Sequence, residues 1–222
     1  MAQIFAGLLT EGSTDIRFLQ SIVQKTLEMI AFDCSGQLDI EVLAIEIDKT
    51  GLNFIEQVLK ASKQGSEEFS TQIICIHTDA DSPTSKEVYE RKINPAKREL
   101  EKQHKYCGLL VAIVPIQETE AWMLADKELL KREIGTHKTD KVLGINRNPE
   151  TIANPKEVIE KAIQIARGNL TRKRRNNLTI ADLYLSIGQS IDLEKLESLS
   201  SYQDFKENVR EAFRKLKLLR HS

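Results

Sequence analysis

Four short apolar runs, Ile4–Leu9, Ile40–Ile47, Ile73–Ile76 and Leu109–Val114, recur along the first half of the chain, separated by longer and more polar stretches. This alternation limits the possible folds more than any other feature of the sequence. Short runs rich in aliphatic residues read as strands. The stretch after the first run sets Ile16, Leu19, Val23, Leu27 and Ile30 at steps of three and four, one apolar stripe of a helix that lies on a sheet. Strand and helix in alternation predict an α/β, Rossmann-like architecture: a mainly parallel sheet of about four strands flanked by helices. Each right-handed crossover returns the next strand beside an earlier one. The second run, with Glu41 and Glu46, is the least suited to burial.

After Val114 the periodicity turns helical, over Ala121–Arg132, Pro155–Arg167, Leu193–Leu199 and Tyr202–Leu218. The second of these is framed by a possible cap at Asn154, Pro155 at the first position, Glu157 in capping-box spacing and Gly168 past the end. Ser13 and Ser201 are candidate caps for the helices that follow them. The stretch Gly135–Asn154, rich in Gly, Asn and Thr, reads as a linker. It divides the chain into an α/β core over residues 1–134 and a helical C-terminal part over residues 135–222.

A chain of 222 residues can bury a true core, and its formal net charge of −1 means that a polyanion must be held by a local patch, not by the overall field. The three cysteines, Cys34, Cys75 and Cys107, are scattered without C-x-x-C spacing, which argues against a disulfide frame or a zinc site. The N-terminal MAQIFAGLLTEG has no basic n-region and meets Glu11 after a few apolar residues, so neither a signal peptide nor a membrane span is expected. A cytoplasmic location follows as an expectation.

In open α/β sheets ligands gather at the carboxyl ends of the strands. Here those ends carry acids. The first run leads into TEGSTD, with Glu11 and Asp15; the third into HTDADS, with Asp79 and Asp81; the fourth through Pro115 into QETEAW, with Glu118 and Glu120. Clustered carboxylates repel unless protons or cations compensate, and hard divalent ions such as Mg²⁺ or Mn²⁺ prefer oxygen ligands. In a strand, D-x-D spacing would set Asp79 and Asp81 on one face, with Glu11 supplied from a neighbouring strand. Asp15, one helical turn past Glu11, either joins the site or serves as a favourable charge in the first turn of a helix, and Glu120 has the same two readings. His77 either orients a carboxylate or is structural, and Trp122 falls in an apolar helical pattern that assigns it to the core. The run RGNLTRKRR supplies Arg167, Arg172, Lys173, Arg174 and Arg175, a solvated loop or a grip on phosphate backbone.

TEGSTD and HTDADS resemble the two motifs of the Toprim domain, a Glu after the first strand and D-x-D after the third. Topoisomerases, DnaG-type primases, recombination-mediator proteins and OLD-family nucleases share that domain. QETEAWMLAD is similar to the E-x-E-A-W-x-x-A-D signature of bacterial Toprim-like proteins encoded beside AAA or ABC-type ATPases in phage-defence loci. The resemblance covers about residues 1–130. It implies metal ligation by Glu11, Asp79 and Asp81, with Glu11 also a possible general acid or base, and it matches Asp15 to an acid that OLD-type nucleases use for a second ion.

The expected function is therefore Mg²⁺- or Mn²⁺-dependent phosphodiester hydrolysis, with Glu11, Asp79, Asp81 and Glu118 as catalytic residues and Asp15 and Glu120 as further metal ligands. The expected partners are nucleic acid, DNA ahead of RNA, and a separate ATPase subunit, with no membrane. Two alternatives stay open: a glycosyl- or nucleotidyl-transferase that uses D-x-D to hold a nucleotide-sugar metal, and a non-catalytic regulatory module that docks an ATPase.

Overall fold

The computed structural model describes residues 2–103, 106–168 and 178–219. The four apolar runs form the strands β1 (Ala2–Leu9), β2 (Leu38–Ala44), β3 (Ile73–His77) and β4 (Leu110–Ile113). All pairings are parallel, in the order β2-β1-β3-β4, with Ile4 beside Ile40, Leu8 beside Cys75 and Cys75 beside Val111. Alternation along each strand splits the core into two clusters. Ile4, Ala6, Leu8, Val42, Cys75 and Val111 face one side, and Leu9, Ile74, Ile76 and Ala112 the other. β2 is an edge strand, which accounts for the exposed Glu41.

β1 leads into α1 (Ser13–Ala31), which buries Phe18, Leu19, Ile22, Val23, Leu27 and Ile30 against the first face. α2 (Phe54–Phe69) covers the opposite face, capped by Asn53 and Glu56 in a reciprocal box. After β3 the chain forms α3 (Lys86–Val88), a π-helical turn at Tyr89–Ile93, and α4 (Asn94–Glu101), which packs on α2. The structure is thus α/β, a four-stranded parallel sheet flanked by helices, with a helical C-terminal part.

Several boundaries differ from the sequence reading for local reasons. Gly12, not Ser13, is the N-cap of α1, because Asp15 reaches back to accept the Gly12 N–H at 2.8 Å. The stretch 121–132 is two helices, α5 (Glu120–Met123) and α6 (Lys127–Glu133), since Asp126 breaks the first and caps the second by accepting the Leu129 N–H at 2.9 Å. The Gly135–Asn154 stretch holds α7 (Asp140–Leu143) and buries Leu143, Ile145 and Ile152 in the same cluster as β1 and α1. α8 (Pro155–Arg167) has the expected bounds, but the Asn154 side chain makes no cap bond to the backbone of its first turn and meets the Glu157 side chain instead, which also pairs with Lys161 at 2.6 Å.

α9 (Leu183–Ser190) and α10 (Leu193–Leu196) follow, then α11 (Ser200–Lys215), which lies against β4 and α1. Ser201 is inside α11 and is not its cap. The Glu150 carboxylate, from the stretch read as a linker, accepts the backbone N–H groups of Ser200 and Ser201 at 2.9 Å each and so caps α11 from a distance. Trp122 is fully buried, as its pattern predicts, and donates its Nε1–H to Ser201 at 2.8 Å. Among the described residues, no helix is long and apolar enough to cross a membrane.

Candidate functional site

The first crossover runs from β1 to β2 on one side, and the next returns to β3 on the other, so the chain reverses direction above the carboxyl ends of β1 and β3. A crevice at such a switch point is where open α/β sheets hold ligands. Thr10 and Glu11 leave β1 there, followed by Asp15 in the first turn of α1.

The D-x-D lies beyond β3, not within it, so the alternation of a strand does not explain how its acids are placed. β3 ends at His77, and its ladder to the β4 side continues through loop backbone, Thr78 N–H to Ile113 at 3.1 Å and Ala80 N–H to Pro115 at 3.0 Å. Asp81 and Gln117 both sit in the left-handed region, at φ 49° and 64°, and are stapled together: Asp81 N–H donates to Gln117 C=O, and Gln117 N–H to Ser82 C=O. Left-handed non-glycine backbone costs energy and persists where surrounding structure enforces it, often beside a functional site.

Asp79 is held from the β4 side. Its Oδ1 accepts the Thr119 N–H at 2.8 Å and the Thr119 hydroxyl at 3.1 Å, and lies 3.2 Å from His77 Nε2. His77, fully enclosed, also meets the Thr119 oxygen at 2.9 Å and has Asp15 at 3.9 Å on its Nδ1 side. Burial pulls the His77 pKa down. The Asp79 hydrogen bond, with the charges of Asp79, Asp15 and Glu11, outweighs that pull and leaves it raised.

The Glu11 carboxylate accepts the Thr78 hydroxyl and lies 3.5 Å from Lys92 Nζ, which itself donates to Thr78 at 2.9 Å. Lys49 reaches the same loop from beyond β2, donating to the carbonyls of Thr10 and Glu11. On the β4 side, Glu120 is 6% exposed, accepts the Tyr184 hydroxyl and lies 3.9 Å from Lys156 Nζ. Glu118 accepts a long contact from the Lys156 N–H, at 3.5 Å.

These acids act on one another. Burial raises the pKa of Asp15, and the charges of Asp79 and Glu11 add to the rise. Asp81 is raised by the same three causes. Glu118 is raised by burial, then by Glu120 and Asp79, and Glu120 by burial with Asp79 adding. All six predicted acids therefore gather at one edge of the sheet, Asp79 acting on Asp15, Asp81, Glu118 and Glu120, and Glu11 on Asp15 and Asp81.

An all-oxygen, mutually repelling set suits a hard divalent cation in its chemistry. Among the described residues, however, no three His, Cys, Asp or Glu side chains are already arranged to hold an ion. Glu11 is turned to Thr78 and Lys92, and Asp79 to Thr119 and His77.

Of the basic run, Arg167 ends α8 and lines a groove with Glu160, Ile163 and Ile180, away from the acids. Arg172, Lys173, Arg174 and Arg175 lie outside the described residues. The site also draws on residues that sequence reasoning passed over. Thr78 and Thr119 sit inside the quoted motifs and could have been found as hydroxyls flanking acids. Lys49, Lys92 and Tyr184 carry no motif and reach the site only through folding.

A family model, DUF4276, described as a domain of unknown function, matches residues 10–210. No curated protein and no solved structure matches the chain. The matched span runs from the tip of β1 into α11 and includes all six clustered acids, and on that match the chain belongs to the DUF4276 family.

Proposed function

We propose that the acidic edge binds Mg²⁺ or Mn²⁺ through Glu11, Asp79 and Asp81 and that the protein hydrolyses phosphodiester bonds in nucleic acid. The observation that carries the reading is the convergence of carboxylates from three strand ends at the switch point of a parallel sheet, where the Asp79 charge adds to the raised pKa of Asp15, Asp81, Glu118 and Glu120. A bound divalent ion would supply a Lewis acid for a phosphate oxygen and lower the pKa of an attacking water. The chain's own residues set the stage. Thr119 and His77 hold Asp79 at Oδ1, the Asp81–Gln117 staple fixes the loop that carries Asp81, and Glu11, paired with Lys92 at 3.5 Å, would be the third residue to hold the ion. The resemblance of TEGSTD and HTDADS to the Toprim motifs that OLD-family nucleases share supports the same chemistry, and that of QETEAWMLAD to Toprim-like proteins encoded beside ATPases adds a separate ATPase subunit as partner.

One observation favours a second reading. Glu11 and Asp79 are both satisfied within the protein, by Lys92, Thr78, Thr119 and His77, as they would be in a non-catalytic module. Asp79→Asn separates the two. The amide keeps shape and one acceptor oxygen but loses the charge that holds a hard ion. The nuclease reading expects cleavage to fall roughly a hundredfold or more and the Mn²⁺-dependent gain in Tm to vanish, with the metal-free Tm no lower than wild type. Cleavage at the wild-type rate, assayed with the ATPase present, would overturn it, as would a Mn²⁺-dependent Tm gain that survives the substitution.

A further inference from the structure

Beside the acids lies a cavity that shares Glu11 and His77 with the proposed metal site and extends beyond it to Lys49, Phe54 and Gln57. It measures about 310 Å³ and is lined by Leu9, Thr10, Glu11, Lys49, Phe54, Gln57, Ile76, His77 and Lys92. That volume is at the lower end of the roughly 300–1,000 Å³ typical of small-ligand pockets. Its lining is mixed in chemistry. Leu9, Ile76 and the Phe54 ring are apolar, and Lys49 and Lys92 bring two ammonium groups to the same lining, Lys92 over the Phe54 ring.

Lys49 spends its donors on two neutral carbonyls, those of Thr10 and Glu11, which orient the ammonium without cancelling its charge. Lys92 projects from the π-helical turn, a device frequent at functional sites, and places its Nζ 5.7 Å from the centre of the Phe54 ring and 3.5 Å from Glu11. Glu11 is the acid among the lining residues and pairs with Lys92, which also acts on Asp81 outside the lining, so Lys49 is the ammonium of the cavity whose hydrogen bonds run to neutral oxygens. An anion with a flat, partly apolar body matches this lining.

We infer that this cavity is a nucleotide subsite, in which Lys49 and Lys92 hold a phosphate group while the base lies on Phe54 with its edge toward the Gln57 amide. The inference deepens the nuclease reading by placing the nucleotide next to the reacting phosphate. It needs neither metal nor turnover, so the two can fail separately.

The test is calorimetric titration in EDTA with deoxyadenosine monophosphate, inorganic phosphate and a tetradeoxyadenylate strand. The mononucleotide should bind wild type, and Lys92→Met should weaken it by about tenfold, the scale of one charge-assisted hydrogen bond. Phe54→Leu keeps an aliphatic wall and loses the stacking face, so it should weaken the mononucleotide by about tenfold and leave inorganic phosphate unchanged. Both variants must melt with wild-type cooperativity. If Lys92→Met does not, Lys92→Gln, which keeps a donor for Thr78 and loses the charge, takes its place and should weaken the mononucleotide by the same factor.

Tighter binding of the strand than of the mononucleotide would support a strand as the source of the nucleotide. Equal binding would overturn that source and the link to cleavage. No binding of the mononucleotide, or equal binding by wild type, Lys92→Met and Phe54→Leu, would overturn the subsite itself.

Discussion

Glu120 shows how one carboxylate can serve the fold at a cost. It is buried under Tyr184, whose hydroxyl it accepts, and burial raises its pKa above the ordinary value of 4.5. The folded state therefore binds a proton more tightly than the unfolded chain does. The stability this contributes is fully present below pH 4.5 and is lost as pH rises through the folded-state value. Glu120→Gln cannot ionise and keeps an acceptor for Tyr184, while losing only a 3.9 Å contact to the half-exposed Lys156, a pairing of little worth. Thermal melts should match wild type at pH 4 and lie above it at pH 8; a variant that melts lower at pH 8 would mean that the charge is compensated in place. At this scale the acids were legible, because Glu11, Asp79 and Glu118 follow apolar runs and a sheet must end somewhere. Lys92 was not. It reaches Glu11 through a π-helical turn, and no pattern of residue types announces that turn.

Among the helices, α9 packs on α1 through a glycine. A Cβ on Gly188 in α9 would lie 2.3 Å from the Phe18 carbonyl oxygen and 2.8 Å from its Cα, both rigid backbone atoms. Gly188→Ala gains about 1 kcal/mol in helix propensity but must push α9 off α1. A net loss of about 1–3 kcal/mol is expected, read as a fall in Tm of roughly 2–4 °C per kcal/mol. A Tm at or above wild type would show that the two helices can separate freely. Gly7 has the matching role in the sheet, where a Cβ would meet Ile74 and Ile45 side chains at 2.8 and 2.9 Å. Helix positions were largely readable, since periodicity and Pro155 mark α1 and α8 in advance. Their ends were less so. Asp15 reaches back to Gly12, Asp126 interrupts a helical pattern, and Glu150 caps α11 across fifty residues of chain.

The larger core cluster runs from Ile4 in β1 through Leu143 and Ile152 to Phe213 in α11, and so joins the two halves of the sequence. A chain that shares one core should unfold as one unit. Guanidinium unfolding followed by Trp122 fluorescence and by far-ultraviolet circular dichroism should give coincident transitions, and truncation after Leu199, which removes Tyr202, Phe205, Val209 and Phe213, should abolish cooperative unfolding. Two resolved transitions, or a truncated protein that still melts cooperatively, would show that residues 1–134 are an independent domain. The sequence alone determined the layers: four apolar runs spaced by amphipathic stretches can bury their surfaces only as strands covered by helices, and the acids at the run ends then fall on one edge. Only the tertiary structure decided which side chains those acids meet. The order β2-β1-β3-β4 sets β1 beside β3, and packing delivers His77, Lys49, Lys92, Thr119 and Tyr184 to them from separate elements. Secondary structure follows from periods within one segment, whereas a contact between segments depends on the three-dimensional path of everything in between.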